Sequence, residues 1–157
     1  EGMTLLELLV VMVLLGSAML ILFPRIPLLE SFSLNSEARR IAGLFRYLDE
    51  SSSSKKIYYR VWFHPEEESF EVESSADGFE FKKIKDGSLK GFSLANGDIQ
   101  DIVVQGLGKI DHGDAAIVFN PGIGAEPFNL HIKKDGLILT ISYNTYSGKV
   151  KILEGYV

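Results

Sequence analysis

The stretch MTLLELLVVMVLLGSAMLILF, from Met3 to Phe23, decides the fold. Glu7 is its one charged residue. As a helix it would extend about 30 Å, the hydrocarbon thickness of a bilayer. A secretory signal has a shorter apolar run that follows a basic segment. A core helix of a soluble protein would show a polar stripe, whereas Leu8 to Leu15 is apolar on every side. We therefore expect this segment to span a membrane or to be buried in an assembly.

Glu7 is the exception within this apolar segment. A carboxylate at the centre of a bilayer costs about 2.5–3.5 kcal/mol, and such residues usually have a partner. Two explanations stay open: the side chain reaches water near the helix end, or it pairs with a cation at the same depth. A chain amine created by cleavage just upstream is the nearest candidate for that cation.

Beyond this segment the sequence predicts a second helix. Pro24 and Pro27 disfavour helical geometry in the residues before them, so we expect a kink there. From Ser36 to Leu48 apolar residues recur at helical spacing, which predicts an amphipathic helix with Ser36 as its N-cap. The serine run Ser51–Ser54 is expected to end this helix, because serine is a weak helix former.

Short segments rich in β-branched and aromatic residues follow, and they predict antiparallel hairpins. Turn pairs such as Asp77-Gly78 and Asp135-Gly136 separate several of them. The predicted strands are Ile57–His64, Ser69–Glu73, Phe79–Ile84, Ile99–Val104, Ala116–Phe119, Phe128–Lys133, Leu137–Tyr143 and Lys149–Leu153. The fold class that this order indicates is α+β.

The residues Gly2-Met3-Thr4-Leu5-Leu6-Glu7, followed by an apolar run, resemble the cleavage and methylation motif of type IV pilins and type II secretion pseudopilins. Gly16 and Pro24 also stand at the spacing seen in that family. The resemblance implies a type IV pilin-like fold, with a long N-terminal helix packed on an antiparallel β-sheet domain. It also implies that a prepilin peptidase cuts between Gly2 and Met3, that Met3 is then N-methylated, and that Glu7 pairs with the Met3 amine of a neighbouring subunit.

In this family Pro24 marks the kink. Gly16 has two explanations, close helix packing or a neutral small residue in contact with lipid. The expected organisation is a leader remnant at 1–2, a transmembrane or filament-core helix at 3–28, an amphipathic helix at 29–54 and a β-rich periplasmic domain at 55–157.

The C-terminal half has a resemblance of its own. Ile117-Val118-Phe119-Asn120-Pro121-Gly122, then strands and a Ser147-Gly148 turn, resembles the domain of H-type minor pseudopilins and FimT-like minor pilins. This implies a structural minor pseudopilin that is single-pass in the bacterial inner membrane and supports secretion across the outer membrane. Its implied partners are other pseudopilins or pilins, the prepilin peptidase and the inner membrane, with secreted cargo as a further candidate.

Three alternatives stay open. A minor pilin of a type IV pilus or DNA-uptake filament shares the helix. An uncleaved bitopic protein would lack the Met3 amine. A membrane-anchored periplasmic enzyme or ligand-binding domain would need a pocket with convergent polar groups. The formal net charge of -5 argues against nucleic acid as a partner. The segment from Lys85 to Asp114 is our candidate for the exposed, variable part that contacts partners.

No catalytic residue, cofactor or metal site is expected. There is no cysteine, and His64, His112 and His131 do not stand in a metalloprotease spacing. Gly106-Leu107-Gly108-Lys109 lacks the spacing of a phosphate-binding loop and is interpreted as a turn. Four aspartates could supply oxygen ligands to calcium, but scattered acidic loop residues are usually solvated. They are Asp98, Asp101, Asp111 and Asp114.

Overall fold

The computed structural model describes residues 5–22, 28–85, 87 and 89–157. Within them two helices, α1 (Leu5–Leu22) and α2 (Leu28–Lys55), precede a series of β-strands. The strands are β1 (Tyr58–His64), β2 (Ser69–Ser75), β3 (Lys82–Lys83), β4 (Phe92–Ser93), β5 (Asp98–Val104), β6 (Gly108–Ile110), β7 (Ala115–Phe119), β8 (Phe128–Lys134), β9 (Leu137–Asn144) and β10 (Lys149–Glu154).

The strands form two antiparallel sheets. Sheet A has the order β3-β2-β1-β7, with β4 also paired to β2, and sheet B has the order β10-β9-β8-β5-β6. Helix α2 contacts strands of both sheets. The predicted α+β class is therefore confirmed, with the β-branched and aromatic strands facing one helix.

Phe45 of α2 holds these layers together. Its ring is fully buried, and its centroid lies 6.1 Å from that of Phe63 in sheet A and 5.1 Å from that of Phe128 in sheet B. Phe63 and Phe128 also contact each other directly, at 6.3 Å. The apolar stripe predicted on α2 thus packs where the two sheets meet.

Two end signals predicted for the amphipathic helix are wrong, although the expected range 29–54 differs from α2 by one residue at each end. Ser36 is not an N-cap, because α2 begins at Leu28 and the Ser36 hydroxyl donates to the Ser33 carbonyl inside the helix. The serine run does not end the helix either, since α2 continues to Lys55. Ser52 is fully buried, and its hydroxyl donates to the carbonyl of Phe119 at 3.1 Å. Tertiary contacts of this kind outweigh the weak helix propensity of serine.

Two other predictions fail in the middle of the chain. Only Lys82–Lys83 of the predicted strand Phe79–Ile84 forms a strand, although the Ile84 N–H also donates to the Val72 carbonyl at 3.0 Å. The short strands β4 and β6 were not predicted. The segment from Lys85 to Asp114 is not a uniformly exposed part, because β5 pairs with β6 on one side and β8 on the other. Ile102 at its centre is fully buried.

The membrane span predicted from Met3 to Phe23 also requires a correction. In the part of the chain that the structure describes, no helix is both long enough and apolar enough to cross a membrane.

Candidate functional site: the exposed face of α1 and its supporting domain

From Leu5 to Leu15, helix α1 presents apolar side chains to solvent in every direction. The relative exposure of the large apolar residues in this range runs from 42% at Val11 to 86% at Leu5. A contiguous exposed surface of this kind marks an interaction site rather than ordinary surface. The exposed side chains are Leu5, Leu6, Leu8, Leu9, Val10, Val11, Met12, Val13, Leu14 and Leu15.

The residues predicted from the sequence to act in assembly fall in and around this helix. Glu7 and Gly16 both lie on α1 and are exposed. A side chain added at Gly16 would meet no atom within 4 Å, so the glycine leaves an open place on the helix surface. Gly2 and Met3, the predicted cleavage and methylation positions, lie outside the described residues, as does the predicted kink at Pro24.

A polar joint fixes the far end of α2 to sheet B. The Tyr143 hydroxyl donates to Asp49 Oδ1 at 2.7 Å and accepts the amide N–H of Ala125 at 3.3 Å. Burial, followed by the hydrogen bond to Asp49, raises the pKa of Tyr143, so the phenol keeps the proton that it donates. Gly124 and Gly148 come so close to this joint that a methyl group would contact Tyr143 or Asp49. Sequence patterns did not predict this joint.

The outer face of sheet A carries an ion pair beside the single tryptophan. Glu73 accepts hydrogen bonds from Arg60 at 2.7 Å and from Trp62 at 3.0 Å. Burial by itself would raise the pKa of Glu73, but these two donors outweigh it and the pKa is lowered. The Arg60 guanidinium also lies 4.0 Å from the ring centroid of Phe81.

The described histidines and aspartates do not come together as a metal site. Across residues 5–22, 28–85, 87 and 89–157, no three potential metal ligands come together. Each aspartate proposed as a calcium ligand has another partner. Asp98 hydrogen-bonds with Glu68 and raises the pKa of that residue, Asp111 is 3.6 Å from Lys109, Asp114 is 2.7 Å from His64, and Asp101 is 2.6 Å from His131.

An exposed apolar helix leading into an α2 helix that packs on two antiparallel sheets is the architecture of the type IV pilin-like α+β fold. Among solved structures, the chain resembles the minor pseudopilin EpsH from the Type 2 Secretion System of Vibrio cholerae. The TM-score is 0.60 at 13% sequence identity, over 77% of this chain and 95% of that chain. No family model matches the sequence, and no curated protein matches it. The likeness to EpsH confirms the predicted fold.

Proposed function

We propose that this chain is a structural minor pseudopilin of a type II secretion pseudopilus, located at the bacterial inner membrane with its β-domain in the periplasm. Its role is to join a filament through α1 and to support protein secretion across the outer membrane. The exposed apolar surface of α1, attached to a domain that resembles EpsH, carries this proposal.

The energetics of α1 favour burial between subunits. Burying one Val, Leu or Met side chain contributes about 1.5–3 kcal/mol relative to leaving it in water. Association costs about 4–15 kcal/mol in lost translational and rotational freedom. Because α1 exposes a continuous series of such side chains from Leu8 to Leu15, neighbouring α1 helices can offset that cost by covering part of the series.

Glu7 then sets the register of the helix in the assembly. Once neighbouring helices cover α1, the Glu7 carboxylate lies in an apolar surrounding, where burying a charge is costly. Prepilin peptidase cleavage after Gly2 would create a cationic Met3 amine on a neighbouring subunit, and pairing with it removes that cost. Gly16 would let a neighbouring helix approach closely at its open surface.

The first experiment tests processing. The full-length precursor is expressed with and without a prepilin peptidase, and its intact mass and N-terminal sequence are measured. We expect a peptidase-dependent product that begins with methylated Met3. An uncut chain in both conditions would overturn the assignment of Gly2 and Met3.

The second experiment tests assembly and the role of Glu7. Glu7→Gln removes the charge with little change in shape, and Glu50→Gln on the exposed surface of α2 is the matched control. We expect Glu7→Gln to lower co-purification with the other pseudopilins, and secretion, by at least tenfold while Glu50→Gln changes neither. Normal incorporation of Glu7→Gln would refute the register role. Recovery of the chain in type IV pili rather than in the pseudopilus would replace the secretion assignment with the minor pilin alternative.

A further inference from the structure

The exposed face of α2 carries a cluster of cations around a glycine. Gly43 lies in the stretch RRIAGLFRY of this helix. Residues three and four positions away along a helix are neighbours on its surface. The neighbours of Gly43 at this spacing on its solvent side are all exposed, as is Gly43 itself, and most of them are arginines. They are Arg39, Arg40, Arg46 and Tyr47. The helix therefore presents positive charge around a position that has no side chain.

Most of this positive charge has no carboxylate beside it. Arg40 is 3.9 Å from the carboxylate of Glu37, which is a long contact for an ion pair. Within the described chain, neither Arg39 nor Arg46 has an ion pair. Glu50, one turn beyond Arg46, is an exposed carboxylate on the same helix. Because the formal net charge of the whole chain is -5, this face is a local exception to an acidic balance.

A groove of about 430 Å³ lies between this face of α2 and the segment Leu89–Phe92. Leu44 and Phe92 supply apolar surface to it, and Lys90 adds a further exposed cation. In the part of the chain that the structure describes, Lys90 has no ion pair either. A Cβ added at Gly43 would meet no atom within 4 Å, so the helix side of the groove is open.

The wall of the groove opposite the helix is fixed by packing. The Arg40 guanidinium lies 3.8 Å from the centroid of the Phe92 ring, and the Phe70 ring lies 5.1 Å from that same ring. A Cβ at Gly91 would collide with the Phe70 carbonyl, so this glycine allows the wall to lie directly against β2. The apolar wall at Phe92 is therefore formed before any ligand binds, and a preformed site loses less freedom on binding.

These features select the chemistry of the ligand. Arginine pairs with carboxylates through two parallel hydrogen bonds, and the apolar surface between the cations fits an aliphatic or aromatic side chain. A nucleic acid would need many phosphate contacts and would be repelled by a chain of net charge -5. A planar lipid surface would reach the cations at the rim but not the apolar side chains between the helix and the wall. The matching ligand is a carboxylate-rich protein segment.

We propose that this groove binds an acidic segment of a partner protein, with carboxylates on the cations of the rim and one apolar side chain against Leu44 and Phe92. Arg40 is engaged with Phe92, whereas Arg46 and Lys90 are left to pair with the ligand. Complementary charge also speeds the encounter of the two partners. This inference goes beyond the filament assignment and does not depend on it.

The probe is a fluorescently labelled peptide in which glutamates flank one leucine. Fluorescence anisotropy measures its binding to the full chain in a mild detergent. Arg46→Gln combined with Lys90→Gln should weaken binding at least tenfold, because each substitution removes a partner of a carboxylate. Lys149→Gln combined with Lys151→Gln removes the same charge from exposed lysines of β10 and should bind as the wild type does. The same peptide with glutamines in place of the glutamates should bind at least tenfold more weakly.

A second variant places a competing charge in the groove. Gly43→Glu fits without a clash, and its carboxylate stands three residues from both Arg40 and Arg46. We expect Gly43→Glu to bind the acidic peptide at least tenfold more weakly, while Gly43→Ala keeps the affinity of the wild type. Unchanged affinity in Gly43→Glu or in the variant at Arg46 and Lys90, or equal binding of the glutamine peptide, would overturn the proposal. Tighter binding of single-stranded DNA or of glycerol phosphate, the headgroup chemistry of anionic lipids, would overturn it as well.

Discussion

Replacing Gly124 with alanine tests the joint between α2 and sheet B. Gly124 has φ of +81°, and an alanine in this left-handed region costs about 1–2 kcal/mol. The added Cβ would also collide with the Tyr143 hydroxyl and lie 3.0 Å from Asp49 Oδ1. The collision displaces the Tyr143–Asp49 hydrogen bond, and a hydrogen bond to a charged group contributes about 1.5–3 kcal/mol. We therefore expect Gly124→Ala to lower the free energy of unfolding by about 2.5–5 kcal/mol.

Gly122→Ala is the matched control in the same loop. Gly122 has φ of +79°, and a Cβ at this position would meet nothing within 4 Å. The control therefore carries the backbone cost of about 1–2 kcal/mol without the collision. Subtracting the loss of unfolding free energy in Gly122→Ala from the loss in Gly124→Ala leaves about 1.5–3 kcal/mol for the joint.

The assay is urea unfolding of the full chain in a mild detergent, followed by the fluorescence of Trp62, which is the single tryptophan. The comparison is valid where the dependence of the unfolding free energy on urea is unchanged by the substitution. In a Tyr143→Phe background the hydroxyl is gone, so the difference between Gly124→Ala and Gly122→Ala should shrink. Equal destabilisation by the two glycine variants in the wild-type background would refute the reasoning.

The remaining predictions concern the core and the outer face of sheet A. Phe45→Ala should destabilise the domain by about 3–5 kcal/mol because it removes the ring between the two sheets. Tyr47→Ala, at a half-exposed position, should lower the free energy of unfolding by less than about 1 kcal/mol. Similar losses for the two variants in urea unfolding would contradict the central role of Phe45. Glu73 has a lowered pKa in the folded state, so its stabilisation is present above its unfolded pKa and is lost as the pH falls through the folded one. Glu73→Gln should therefore lower the free energy of unfolding by about 1.5–3 kcal/mol at neutral pH, and the variant should lose less stability than the wild type on acidification. Glu71→Gln, in a more exposed ion pair, should lower it by at most about 1 kcal/mol. An unchanged acid dependence in Glu73→Gln would show that the ion pair with Arg60 contributes little.

Much of sheet B could be predicted because its strands carry their own signals. The segments Phe128–Lys133 and Leu137–Tyr143 match β8 and β9 closely, and Asp135-Gly136 forms the turn between them with positive φ at both residues. The short strands β4 and β6 could not be predicted, since two or three residues give no periodicity. Their existence depends on the longer strands that they pair with, β2 and β5.

The serine run shows how a local rule fails. Serine competes for backbone hydrogen bonds and is a weak helix former, yet Ser51 and Ser52 are buried in the last turns of α2. The partner of the Ser52 hydroxyl is the carbonyl of Phe119, 67 positions away in sequence. No window of residues around the serines contains that information.

The sequence by itself determined the apolar character of α1, the place of Glu7 within it and the succession of hairpins, because each of these depends on residues that are neighbours in the chain. Only the tertiary structure decided the joint and the buried Asp101–His131 pair. Asp49 and Tyr143 are separated by 94 positions, and Asp101 and His131 by 30. Such pairs form when α2 packs on sheet B and when β5 pairs with β8. Hydrogen bonds and burial act between atoms that the fold brings together, whatever their distance along the chain.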